Sequence, residues 1–163
     1  MWIMEKINLS ESILIFGQNI KKTRERINLD ICELAKMIAY DRNDLSRLEY
    51  GEQNISYKTA VKLAKTLNVP FQPLFSRNYA VSDKEEFCED EFLLIYIENI
   101  KRELKSRGMT QAHIYVGCGI HESTVSRIFT GKNINPTINT LALIASVVTD
   151  GDLKKLFSRS SEK

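Results

Sequence analysis

The feature that most constrains this chain is a repeat. Sliding the 163 residues against themselves by eighty positions, without a gap, sets ESILIFGQNIKK (11–22) on EFLLIYIENIKR (91–102) and LSRLEYG (45–51) on VSRIFTG (125–131). The same offset pairs Phe16 with Tyr96, Leu34 with Ile114, Val61 with Leu141 and Leu63 with Leu143. Apolar character persists where a core needs it while polar letters drift, as when one fold is used twice. A chain of this length accommodates two small domains.

Each copy reads as a string of short helices. In the first, Ser10 is a good N-cap before a helix whose apolar positions Ile13, Phe16, Ile20 and Ile27 recur at helical spacings. Asn28 ends that helix, Asp30 caps a second carrying Leu34 and Ile38, and Asp41 caps a third carrying Leu45 and Leu48. Gly51 stops the third helix, a fourth runs from Ser56 to Leu67, and FQPLF begins a short fifth segment. Copy two repeats the order, with a start at Asp90, a stop at Gly108, caps at Thr110 and His121, a stop at Gly131 and Pro136 at the head of helix four. No stretch alternates with period two. The expected fold is all-α, two tandem five-helix domains at 10–75 and 90–157.

The stretch between them, 76–89, sets Arg77 and Lys84 against Asp83, Glu85, Glu86 and Glu89, and reads as a net acidic, solvated linker. Ser82 and Glu85 have capping-box spacing, which predicts a partly helical linker and an early start for the first helix of copy two. Phe87 and the apolar cluster at 92–97 then form either an outward interaction surface or a cover for their own domain.

Composition excludes several classes. With 43% hydrophobic and 27% charged residues the chain is that of an ordinary globular protein. No apolar run approaches the ~20 residues of a membrane span, and the opening MWIM lacks the flanks of a signal peptide. A cytoplasmic location without membrane partners is expected. Cys32, Cys88 and Cys118 are odd in number with no CxxC spacing, which argues against a disulfide framework or a zinc ribbon. Cys118 with His113 and His121 comes nearest to a metal set, but a small buried thiol beside two helix caps is the simpler reading. Neither a Gly-rich phosphate loop nor a Ser, His and carboxylate constellation is present, so no enzyme, cofactor or metal is expected. The net charge of +2 implies nothing about nucleic acid by itself; its distribution matters more.

A second helix, a tight turn and a third helix ending in S-R-[LI]-x-x-G, followed by a loop and a fourth helix, resembles the phage-repressor and Cro (lambda-repressor-like) helix-turn-helix family, twice and in register. The resemblance implies that the third helix of each copy enters the major groove of double-stranded DNA. Its base-reading positions fall on Arg42, Asn43 and Arg47 in copy one and on Glu122, Ser123 and Arg127 in copy two. Arg grips guanine and Asn adenine through paired hydrogen bonds worth about 1–3 kcal/mol of discrimination. Glu accepts from cytosine but is repelled by phosphates, so the second reader is expected to be weaker or more selective. Phosphate contacts are implied for Thr110 and Gln111 at the head of helix two of copy two, for Lys132 and Asn133 after its third helix, and for Lys21 and Lys22 on helix one.

Two departures stand out. Tyr115 replaces the small Ala35 between helices two and three, with Gly117 as the residue expected to give room, and Ala39 stands where the turn takes Gly, as Gly119 does. The resemblance also implies a structural ion pair between Glu49 and Arg24 on helix one. Across the offset these become Phe129 and Leu104, a paired change from ionic to apolar. The leading reading is a sequence-specific transcriptional regulator, a repressor, binding its operator as a homodimer or with its two copies on adjacent half-sites. The alternative keeps one DNA-binding domain and makes copy two a degenerate module for dimerisation or for a regulatory protein partner, as in antitoxins.

Overall fold

The computed structural model describes residues 10–81 and 84–160. Copy one runs α1 (Glu11–Arg26), α2 (Ile31–Met37), α3 (Arg42–Glu49), α4 (Tyr57–Leu67) and a 3-10 helix (Gln72–Phe75). Copy two runs α5 (Phe92–Ser106), α6 (Gln111–Cys118), α7 (Glu122–Phe129), α8 (Ile138–Val148) and α9 (Leu153–Leu156). Among the described residues there is no strand, and the fold is all α.

Local chemistry sets the helix starts. The Asp30 carboxylate accepts from the Cys32 N–H at 2.6 Å and Asp41 from the Asp44 N–H at 3.0 Å, while the Ser56 hydroxyl accepts from Thr59 at 3.2 Å. Each satisfies a donor that the first helical turn leaves unpaired. That bond holds the Asp30 carboxyl below the usual carboxylate range. The turn from second to third helix needs a left-handed residue in both copies, supplied by Ala39 (φ 53°) and Gly119 (φ 68°).

The gapless register of the sequence comparison does not survive past the third helix. In α4 the buried set is Ala60, Leu63, Ala64 and Leu67; in α8 it recurs as Leu141, Ile144, Ala145 and Val148, an offset of eighty-one. The cap pair Ser56 and Thr59 likewise recurs as Thr137 and Thr140. Leu63 therefore answers to Ile144, and its expected partner Leu143 is only half-buried. One extra residue sits in the loop after Gly131. A second extra residue follows further on, because Asn19 donates to the carbonyls of Leu74 and Ser76 whereas Asn99 donates to those of Leu156 and Ser158.

The first and third helices also pack differently in the two copies. A Cβ on Gly17 would lie 1.9 Å from the Leu48 carbonyl oxygen, so α1 and α3 meet backbone to backbone there. Copy two carries the buried Ile97 at that place.

Residues 76–81 return along α1. Ser76 offers its carbonyl to Asn19, the Tyr79 hydroxyl lies 2.9 Å from Thr23 Oγ1, and Arg26 donates to the Val81 carbonyl. Ser82 lies outside the described residues, and α5 begins at Phe92, so the early helical start is not found. The Phe87 N–H, which a helix would spend on its own ladder, instead donates to the Asn68 side chain at 3.2 Å.

Phe87 and the 92–97 cluster take a third course, neither outward surface nor cover for their own copy alone. Phe87 rests edge-on against Phe92, whose ring lies 4.6 Å from that of Phe71 in copy one. The Phe157 ring in turn lies tilted, 5.0 Å from that of Phe71 and 5.3 Å from that of Phe75. All four of Phe71, Phe75, Phe92 and Phe157 are buried, so one aromatic core joins the copies. Beside it runs a set of reciprocal bonds. Tyr57 N–H donates to the Pro136 carbonyl and Ile138 N–H to the Ile55 carbonyl, both at 2.8 Å. Lys58 N–H donates to Asn135 Oδ1 at 2.9 Å and Asn139 N–H to Asn54 Oδ1 at 3.2 Å. At an offset of eighty-one each bond maps onto its partner, which is the signature of a two-fold, isologous contact, here within one chain.

Candidate nucleic-acid interface

The exposed face of α3 is what its buried face leaves over. Leu45 and Leu48 point into the core and Glu49 is buried with them, while Asp41 caps the start, so Arg42, Asn43 and Arg47 stand in solvent on one short helix. Arg47 comes only to 4.0 Å from Asp44 in a pair open to water on both sides, which ties it little. The Arg42 charge also reaches Asp30, helping to keep that carboxylate ionised.

In α7 the pattern of burial repeats residue for residue, with Val125, Ile128 and Phe129 inward and Glu122, Ser123 and Arg127 outward. The chemistry differs. His121 caps this helix by accepting from the Ser123 N–H at 3.2 Å, and its Nδ1 also lies 2.7 Å from the Ser123 hydroxyl. Ser123 is thereby engaged with its own cap, leaving Glu122 and Arg127 as the freer groups.

The residues expected at phosphates fall into three situations. Lys22, Lys132 and Thr110 are exposed, while Gln111 and Asn133 are half-buried. Thr110 is engaged within its own turn, its N–H donating to His113 Nδ1 at 2.9 Å and its hydroxyl lying 3.2 Å from the same nitrogen. Asn133 Oδ1 accepts from the Asn135 N–H at 3.0 Å, shaping the loop. Lys21 sits 4.9 Å over the Tyr50 ring, just past the end of α3, and 4.0 Å from Glu25. Its counterpart Lys101 donates to the Phe129 carbonyl at the end of α7 at 3.3 Å. A cation at the C-terminal end of a helix complements its dipole, so this pair of lysines braces the two exposed helices.

Arg24 and Glu49 meet in a two-pronged contact, Nε to Oε1 at 2.7 Å and Nη2 to Oε2 at 3.0 Å, with Nη1 donating to the Leu29 carbonyl. The bond to Glu49 raises the Arg24 pKa further above its ordinary value. Leu104 and Phe129 are both buried in the core. Tyr115 is half-buried against that core, and the room at Gly117 faces Val147 of α8, 3.0 Å from a would-be Cβ, rather than α7. Gly117 therefore serves helix four, not the Tyr115 ring. Among the described residues no group of three or more His, Cys, Asp and Glu side chains is placed to hold a metal ion, and Cys118 donates to the Ile114 carbonyl. No helix of the described residues is long and apolar enough to cross a membrane.

A family model described as Helix-turn-helix, of the Cro/C1 type, matches the chain twice, at residues 20–74 and 100–148. The chain belongs to the Cro/C1-type helix-turn-helix family. A protein of Methanococcus vannielii, provisionally named an HTH-type transcriptional regulatory protein, is 36% identical over 56 residues, which are 34% of this chain and 17% of that one. An uncharacterized HTH-type transcriptional regulator of Archaeoglobus fulgidus is 34% identical over 70 residues, 43% of this chain and 92% of that one. The match thus spans about a sixth of the first relative and nearly all of the second. No solved structure matches.

Within the helix-turn-helix frame, α2 with α3 and α6 with α7 are the two motifs. The roles that sequence reasoning left unassigned are those of Tyr50, Lys101, Asn54 and Asn135 in these contacts. The two asparagines carried a readable signal, since NIS at 54–56 and NPT at 135–137 are one motif repeated at eighty-one rather than eighty.

Proposed function

We propose that the chain is a sequence-specific DNA-binding transcriptional regulator that reads the major groove with α3 and, less strongly, with α7. The observation that carries the reading is α3 itself. A capped helix buried along Leu45 and Leu48 presents Arg42, Asn43 and Arg47 together in solvent, at the positions a helix-turn-helix uses. These side chains suit guanine and adenine edges. The two relatives are named as transcriptional regulators, which supports the same class. On this reading the protein acts in the cytoplasm on duplex DNA, and repression by occupying a promoter is the simplest output for a binding domain without a catalytic site.

Copy two is the weaker reader because two of its polar groups are spent internally, Ser123 on His121 and Thr110 on His113. Glu122 adds a negative charge where phosphates crowd. The degenerate-module alternative is favoured to this extent.

The test is selection of bound duplexes from a random pool by the full chain. A recurring motif containing guanine and adenine steps is expected, and Arg42→Ala with Asn43→Ala should weaken its enrichment and remove the base preference read by α3. A pool that stays random would overturn the reading.

A further inference from the structure

We propose that one chain is the complete reading unit, with its two unlike recognition helices occupying two unlike half-sites of a single operator in a fixed order. This inference rests on the DNA-reading assignment above.

A symmetric, dimer-like contact is already made inside the chain. Tyr57 to Pro136 and Ile138 to Ile55 form a reciprocal pair, as do Lys58 to Asn135 and Asn139 to Asn54. An isologous contact uses the same patch on both members and is closed once made. A second chain would find these donors and acceptors engaged and the aromatic seam of Phe71, Phe92 and Phe157 buried.

The seam also places the readers. Its reciprocal hydrogen bonds join the loops that follow α3 and α7 directly, so each recognition helix ends only a short run of chain from the local two-fold. Glu49 to Ile55 and Phe129 to Pro136 each reach at most about 25 Å when extended. Half-sites one helical turn apart need centres about 34 Å apart, which lies within the upper limit set by two such arms.

The two halves cannot read alike. Arg42, Asn43 and Arg47 have Glu122, Ser123 and Arg127 as their counterparts in the other copy, and copy two has one more residue between its recognition helix and the reciprocal bonds. The paired sites are therefore unlike in sequence and slightly unlike in spacing, which gives the bound chain a single orientation on DNA. A symmetric homodimer has no such polarity.

The experiment uses the full chain and the duplex it selects from a random pool. Sedimentation of the complex is expected to give one 18.7 kDa chain per duplex, on a motif with two unlike halves about one helical turn apart. Arg42→Ala with Asn43→Ala should weaken binding about ten- to hundred-fold and become insensitive to base changes in one half only. Glu122→Ala with Arg127→Ala should lose sensitivity in the other half only. All four side chains are exposed, and circular dichroism confirms that the variants fold. Two chains per duplex on a palindrome, or a motif with one half alone, would overturn the proposal while leaving the DNA-reading assignment standing. No enriched motif would overturn both.

Discussion

Replacing Glu49 with alanine probes how copy one holds its recognition helix. The Glu49 side chain is 2% exposed and that of Arg24 12%, so water screens the pair weakly. Two charge-assisted hydrogen bonds of 2.7 and 3.0 Å join them, and Arg24 spends one further N–H on the Leu29 carbonyl. Removing the carboxylate leaves a guanidinium that stays charged, because arginine does not deprotonate in proteins, with most of its donors unpaired. Breaking a buried pair from one side costs about 3–5 kcal/mol. For a protein of this size each kcal/mol moves the melting temperature by about 2–4 °C, so the expected drop is roughly 6–20 °C. Urea denaturation followed by circular dichroism measures the change as a shift in midpoint at constant slope. Arg24→Ala with Glu49→Ala removes both charges and should cost less than the sum of the two single variants, by about 1–3 kcal/mol. A Glu49→Ala cost below about 0.5 kcal/mol, or strict additivity, would refute the reasoning.

Four further outcomes can be checked on the same denaturation apparatus. Gly17→Ala drives a Cβ to 1.9 Å from the Leu48 carbonyl oxygen, and since backbone must yield it should cost at least about 1–3 kcal/mol; a neutral result would show that α1 and α3 do not meet as described. Ala39→Gly relieves a left-handed alanine at φ 53° and should stabilise by up to about 1 kcal/mol, with a loss contradicting the turn geometry. Phe157→Ala empties the seam that four rings share and should cost about 3–5 kcal/mol. In the wild-type chain the shared core should give one unfolding transition, and two separate transitions would contradict it.

What could be read from the letters was local. The caps Asp30 and Asp41, the start of the fourth helix at Ser56, the tight turn at Ala39 and Gly119, and the inward positions of α3 and α7 follow from side chains acting within a turn or two of themselves. Such chemistry survives in the sequence whatever the tertiary context. The Arg24 and Glu49 contact was within reach because the helix-turn-helix resemblance implies it, and its two members change together in the other copy. What escaped was everything that depends on chain length between elements or on which neighbour an apolar face meets. A gapless comparison cannot show an insertion, so Leu63 was set against Leu143 instead of Ile144. Periodicity says that Phe92 and Ile97 are buried but not that Phe92 is buried against Phe71 of the other copy. A glycine such as Gly17 looks permissive in sequence, and only the closeness of the Leu48 carbonyl makes it obligatory.

The most direct measurement of the central claim is the ratio of specific to non-specific affinity, at one fixed salt concentration, for the wild-type chain and for Arg42→Ala with Asn43→Ala. Phosphate contacts contribute to both affinities, whereas base contacts contribute only to the first. The expected result is a ratio that falls about ten- to hundred-fold while non-specific affinity weakens only by the one lost cation. An unchanged ratio would contradict the assignment of α3 as the reader.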